Sequence, residues 1–236
     1  MALTIAAAVP TGVYFSYRFV VSSEHFALSK IELSGTKRVD EAILLQQMGV
    51  FPGMNVFDIH KERAIHSAKI EPWIKNVSVK VNYPNQIVIN VVEHDAVALV
   101  DFGKGLMFVD AQGTLITDAD QDELLKESAS AMPYISGTSG LRTEATQKVF
   151  SEGIALHAMM KGMGFENLSE LNFDETLGFS AILIDGKEIR IGRDKFEKRL
   201  TRAKRVLSQD DDIAYVLVDH ALESNRVIVG NKTELK

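Results

Sequence analysis

The reactive side chains of this sequence are spaced in ways that miss each familiar catalytic template. Six histidines, His25, His60, His66, His94, His157 and His220, include no pair four residues apart. The chain has no cysteine, which removes thiolate nucleophiles, a disulfide frame and the Cys-based zinc spacings. Asp118-Ala-Asp120-Gln-Asp122 opens like a calcium loop. Such a loop needs glycine next and glutamate at its twelfth position, where Glu123 and Ala129 stand instead. The acidic stretch 118–130 therefore reads as a solvated loop. Asp101-Phe102-Gly103 spells the kinase triplet with no other kinase element around it, so a strand–turn–strand is expected there. Gly162-Met163-Gly164 lacks the third glycine of a dinucleotide loop, and neither a P-loop nor a nucleophile elbow is present. Met159, Met160 and Met163 read as core packing. Lys198, Arg199, Arg202, Lys204 and Arg205 make a basic helix face, solvated or used for docking. These residues predict a protein that is not an enzyme and uses no catalytic residue, cofactor or metal.

What the chemistry lacks, the elements must supply as a surface. At 236 residues, 46% hydrophobic and 25% charged, the chain can fold into one or two domains with real cores. A net charge of −6 with no basic run argues against nucleic acid as a partner. From Met1 to Tyr17 there is no charged residue, and Ser22-Ser23-Glu24 follows the apolar Phe19-Val20-Val21. Residues 1–21 are therefore expected to form a transmembrane segment, slightly short of a full span of roughly 20 apolar residues. A cleaved signal peptide, although its positive opening is missing, and a buried core segment are the alternatives. Either of the first two puts residues 22 onward outside the cytoplasm.

Residues 28–35 alternate like a strand and close on Gly35. Asp40 is a plausible N-cap for a helix through Met48, stopped by Gly49. Asp58 is expected to cap a second helix through about Lys69. Val77, Val79 and Val81, then Ile87, Ile89 and Val91, alternate with outward neighbours about the turn Tyr83-Pro84-Asn85, a hairpin. Residues 28–93 thus spell strand, helix, helix, strand, strand. After a boundary near Glu93-His94, strands are expected at 96–100, 105–109 and 113–117, and a helix at 142–163. Further strands follow at 178–184 and 187–192, then a helix at 194–208 and strands at 213–219 and 225–229. The tail 231–236 is polar.

In this order the residues resemble the FtsQ family, called DivIB in some bacteria. Lys30-Ile-Glu-Leu-Ser-Gly-Thr-Lys-Arg-Val39 is similar to the family's "I-x-V-x-G-x-x-x-V" opening. Gly53-Met-Asn-Val-Phe-Asp58 is similar to its "G-x-N-L-F-x-I" loop, and Glu71-Pro-Trp73-Ile-Lys-Asn-Val-Ser-Val-Lys80 to "P-W-V-x-x-A-x-V-x-R". Tyr83-Pro-Asn85 through Glu93 follows "y-P-n-x-l-x-I-x-v-x-E". Later, Phe108-Val-Asp110-Ala-Gln-Gly113 resembles "l-v-D-x-x-G", and Pro133-Tyr-Ile-Ser-Gly137 "P-x-l-x-G". Ile191-Gly192-Arg193, followed by Arg199-Leu200, resembles "L-G-r…r-L". Where the family often carries "v-D-l-R-y", this chain has Val218-Asp219-His220-Ala221.

The resemblance implies an α+β protein: a POTRA domain over 22–93, then a mixed α/β domain with a largely antiparallel sheet over 94–230, after a partial transmembrane helix. It implies a non-catalytic division scaffold in the inner membrane at the septum, its bulk in the periplasm, helping to control septal peptidoglycan synthesis. The partners it implies are FtsB-like and FtsL-like proteins, near the FtsW/FtsI synthase. It further implies that a partner adds a strand to the last strand, Arg226, Val227, Ile228 and Val229. An edge strand offers N–H and C=O groups that template another chain. The competing expectation is a POTRA-bearing assembly or secretion protein of the envelope. Such proteins chain several POTRA units before a barrel, and this chain has one unit and too few residues for the barrel.

Overall fold

The computed structural model describes residues 12, 14, 17–19, 23–101, 103, 105–119, 132–138, 143–210, 212–219 and 227–231. They fall into two compact units, Met1–His94 and Asp95–Lys236. The expected transmembrane segment 1–21 lies mostly outside the described residues, of which 12, 14 and 17–19 are helical. No helix among the described residues is long and apolar enough to cross a membrane. The acidic loop beyond Ala119 and the tail beyond Asn231 also lie outside them.

In the first unit, strand β1 (Lys30–Ser34) is followed by helices α1 (Glu41–Met48) and α2 (Lys61–Ala68), then strands β2 (Ile74–Asn82) and β3 (Gln86–Glu93). The sheet order is β1-β3-β2, with β1 parallel and β2 antiparallel to β3. Helix α1 starts where its sequence predicts, because Asp40 accepts a hydrogen bond from the Ile43 amide at 2.9 Å. It stops at Gly49, whose φ of 68° places it in the left-handed region. Alternation along β3 buries Ile87, Ile89 and Val91 against Leu44 and Met48 of α1 and Ala64 and Ala68 of α2. Asp58 does not cap α2. Asn55 caps a separate 3-10 turn, Val56–Asp58, which absorbs Asp58, and α2 begins behind His60 with no side-chain cap.

Glu93, at the end of β3, closes this unit. Its carboxylate accepts from the backbone amides of Lys37 (2.9 Å), Arg38 (3.1 Å) and Val39 (3.1 Å), pinning the loop between β1 and α1. The pinned loop holds the Arg38 guanidinium 4.6 Å above the ring of Trp73. Trp73 is buried between α2 and β2, and its carbonyl accepts from the His94 amide at 2.8 Å.

The second unit is an open nine-stranded sheet in the order β12-β11-β10-β9-β8-β7-β4-β5-β6. Its strands are β4 (Ala98–Asp101), β5 (Leu106–Val109), β6 (Leu115–Asp118), β7 (Tyr134–Ser136), β8 (Leu168–Asp174), β9 (Gly178–Leu183), β10 (Glu188–Gly192), β11 (Ile213–Leu217) and β12 (Ile228–Asn231). Most neighbours are antiparallel; β4–β7, β7–β8 and β10–β11 are parallel. Helices α3 (Thr143–Gly162) and α4 (Phe196–Leu207) bury Phe150, Leu156, Met160, Leu200 and Ala203 in one core with Ile135, Leu171, Phe179, Ile189 and Val216. Strands β7 and β8 are absent from the sequence expectation. The first is three residues long, and the second, Leu-Ser-Glu-Leu-Asn-Phe-Asp, carries too many polar residues to stand out. The final strand lies two residues later than expected, at Ile228–Asn231 rather than 226–229.

Candidate partner-binding site

The two outer strands of the larger sheet are β6 and β12, and β12 is the one sequence reasoning singled out. Among the described residues it pairs only with β11, in antiparallel register: Leu217 opposite Ile228, Val216 opposite Val229 and Tyr215 opposite Gly230. Which backbone groups face outward follows from the parallel neighbour. The Val218 amide donates to the Arg190 carbonyl of β10 at 3.0 Å. Residues of a strand between two others alternate sides, so Leu217 and Tyr215 turn their amides and carbonyls toward β12. Ile228 and Gly230 are consumed by that pairing. The Val227 carbonyl and both the N–H and C=O of Val229 therefore face the open edge.

The side chains suit the same use. Ile228 is 53% exposed and Val229 38% exposed, side by side on the edge strand. Val227 packs against the core and anchors the strand. At Gly230 the Tyr215 ring lies so close that an added Cβ would collide with it. Glycine and ring together seal the inner end of β12. Arg226 lies outside the described residues, so of the expected four, Val227, Ile228 and Val229 are placed here.

The platform behind this edge is built by Arg199. Sequence reasoning put it on the basic helix face; the structure buries it. Its Nη1 donates to the Ile191 carbonyl at 2.6 Å, and its Nη2 lies 2.7 Å from the Asp194 carboxylate. Room for the guanidinium comes from Gly192, with φ of 90°, where any Cβ would run into Nη1. Arg199 thus locks α4 to the end of β10, which carries β11 and then β12. Lys198 and Arg205 stay exposed, and Lys204 donates to the Met163 carbonyl.

The other motif residues are equally structural. The Asp110 carboxylate, buried, accepts from the Gln112 amide (3.0 Å) and the Thr114 amide (2.9 Å), closing the β5–β6 turn. Asp101, at the end of β4, accepts from the Gly103 amide at 2.8 Å. In mid-sheet, Ser136 donates to Glu170 and accepts from Asn172 at 2.8 Å, tying β7 to β8. Beside them a cleft of about 500 Å³ is lined by Tyr134, His157, Lys161 and Glu166 among others. Burial, then Asp101 and Glu170, push the Tyr134 phenol up from its ordinary value, so it stays neutral. Burial, helped by Lys161, holds the His157 imidazole below its ordinary value. Among the described residues no three His, Asp or Glu side chains converge as a metal site.

Comparison with known proteins matches the same elements. Residues 26–94 match the model of the POTRA domain, FtsQ-type, and residues 98–219 that of the cell division protein FtsQ/DivIB, C-terminal. The chain is 26% identical to cell division protein FtsQ of Syntrophotalea carbinolica, covering 89% of this chain and 75% of that protein. It is 22% identical to cell division protein DivIB of Clostridium botulinum, over 79% of this chain and 74% of that one. Among solved structures, POTRA1-2 of the periplasmic domain of Omp85 from Anabaena is similar over 61% of this chain and 83% of that chain, with 14% identity and a TM-score of 0.26. The two models run in chain order, and the second alone spans more than half of the sequence. The chain belongs to the FtsQ/DivIB family of cell division proteins.

Proposed function

We propose that the chain is a non-catalytic scaffold of the divisome, anchored in the inner membrane by the apolar segment 1–21 and working on the periplasmic side at the septum. Its partner contact is the open edge of β12, where a strand of an FtsB-like protein is added, with an FtsL-like protein beside it and the FtsW/FtsI synthase nearby. Through them it helps to control septal peptidoglycan synthesis. The observation that carries this reading is the edge itself: the Val227 carbonyl and the backbone groups of Val229 face outward beside exposed Ile228. A partner strand would use one amide and two carbonyls there. At about 0.5–1.5 kcal/mol net per bond, that gives roughly 1.5–4.5 kcal/mol before any side-chain contact. A photo-crosslinking residue placed at Ile228 tests the proposal in dividing cells. Capture of an FtsB-like chain supports the edge, and crosslinks only to proteins outside the divisome would remove it. Because the sequence has no cysteine, an Ile184→Cys variant tests the topology. A membrane-impermeant maleimide should label it in intact spheroplasts, and labelling only after lysis would place the chain on the other side.

A further inference from the structure

Strongly exposed phenylalanine and tyrosine rings are distributed unevenly along the described residues: Tyr14, Tyr17, Phe19, Phe51, Phe57 and Tyr83 all belong to the first unit. Part of this set forms one continuous ring cluster. His25 meets Phe26 at 5.4 Å between centroids, Phe26 meets Phe57 at 5.0 Å, and Phe57 meets Tyr83 at 5.3 Å. Three separate pieces of chain supply it: the 3-10 turn Glu24–Phe26, the 3-10 turn Val56–Asp58 and the β2–β3 turn. Backbone bonds hold the first two together, with the Leu28 amide donating to the Met54 carbonyl at 2.7 Å and the Gly53 amide to the Leu28 carbonyl at 2.8 Å. Phe26 packs against the core and carries the other two rings, which face outward, Phe57 at 39% and Tyr83 at 61% exposed.

The position of the cluster names its occupant. Arg18 lines a cleft at this end together with Ser23, Gly53, Asn55 and Asp58. Four residues separate Val21 from His25, a reach of at most roughly 14 Å even when fully extended. Aromatic side chains with polar tips favour the headgroup layer of a bilayer, where ring and hydroxyl are both satisfied. We propose that this aromatic end of the first unit, Phe57 and Tyr83 backed by Phe26, rests in the headgroup layer of the membrane. It would act as a second attachment that fixes the tilt of the unit above the bilayer. This rests on the reading of residues 1–21 as the anchor.

The cysteine-free sequence allows a direct test in the full chain reconstituted into vesicles of phosphatidylethanolamine and phosphatidylglycerol. A nitroxide is attached to Tyr83→Cys, with Ala7→Cys reporting the anchor and Ile184→Cys a site in the second unit that is 74% exposed. Collisions with oxygen and with a water-soluble nickel chelate give the depth of each label. The proposal expects label 83 to exclude nickel at least several-fold better than label 184. Adding Phe57→Ser to the Tyr83→Cys chain should return the label toward the aqueous value. If label 7 sits in lipid while label 83 is as accessible to nickel as label 184, the membrane contact is wrong and the patch is left to a protein partner. If label 7 is itself aqueous, the anchor reading fails and the proposal falls with it.

Discussion

Replacing Glu93 by alanine should unfasten the first unit from one point. Its carboxylate receives three backbone amides, those of Lys37, Arg38 and Val39. Hydrogen bonds to a charged acceptor contribute about 1.5–3 kcal/mol each, which bounds the loss at roughly 4.5–9 kcal/mol. Two of the three bonds lie at the surface, where water can take over the amides; the bond to Val39 is partly buried. A net cost of about 2–4 kcal/mol follows once those two are discounted. For a unit of this size, that corresponds to a fall in melting temperature of roughly 8–30 °C. Trp73, the only tryptophan, is a reporter built into the same corner because Arg38 lies over its ring. Its fluorescence should record the transition of this unit, and the native-state emission should shift as Arg38 is released. Glu93→Gln, which keeps one acceptor oxygen, should lie between the two. If Glu93→Ala melts within two degrees of the unaltered protein with unchanged Trp73 emission, the pinned loop does not hold the unit together.

Other outcomes follow from the same geometry. Trp73→Ala should cost about 3–5 kcal/mol, as deletion of a large buried aromatic does, measured by urea unfolding followed by circular dichroism. Gly192→Ala should destabilise the second unit more than any exposed substitution, because the new Cβ occupies the space of the Arg199 guanidinium; a calorimetric scan checks it. His157 binds its proton more weakly folded than unfolded, so stability should decline as pH falls below about 6.5, the ordinary histidine value, and level off below its depressed folded value. His157→Gln should flatten that decline, and urea midpoints at pH 7.5 and pH 5 would reveal an unchanged slope if the imidazole is not responsible.

Much of the first unit was legible because its signals are local. Asp40 and Gly49 bracket α1 as capping chemistry demands, and the alternation of Ile87, Ile89 and Val91 fixes which face of β3 is buried. Legibility failed where the decisive partner is distant. Asp58 looks like a cap until Asn55 takes the turn ahead of it. Gly230 and Asn231 carry the residue types of a turn, so the strand seemed to end at Val229; the Tyr215 ring across the ladder is what keeps Gly230 in the sheet. Arg199 shares a helix face with Lys198, Arg202 and Arg205 and reads as solvated or used for docking. Only the cavity left by Gly192, seven residues back, shows why it is buried. The same distance effect hid β7, whose three residues make a strand because β4 and β8 flank them.

Proline at the edge of β12 separates the proposed partner contact through the outward groups of Val229 from a general loss of fold. Proline lacks the amide proton, so Val229→Pro removes a donor from the open edge. Ile228→Pro instead removes one from the ladder to β11 and should loosen β12 itself. The measurement is titration calorimetry of the chain with a soluble FtsB-like peptide, with circular dichroism of each variant. Val229→Pro should keep its fold and lose affinity about 10- to 100-fold, the equivalent of one lost bond plus the steric cost of the ring. Unaltered affinity in a folded Val229→Pro protein would rule out this edge as the contact.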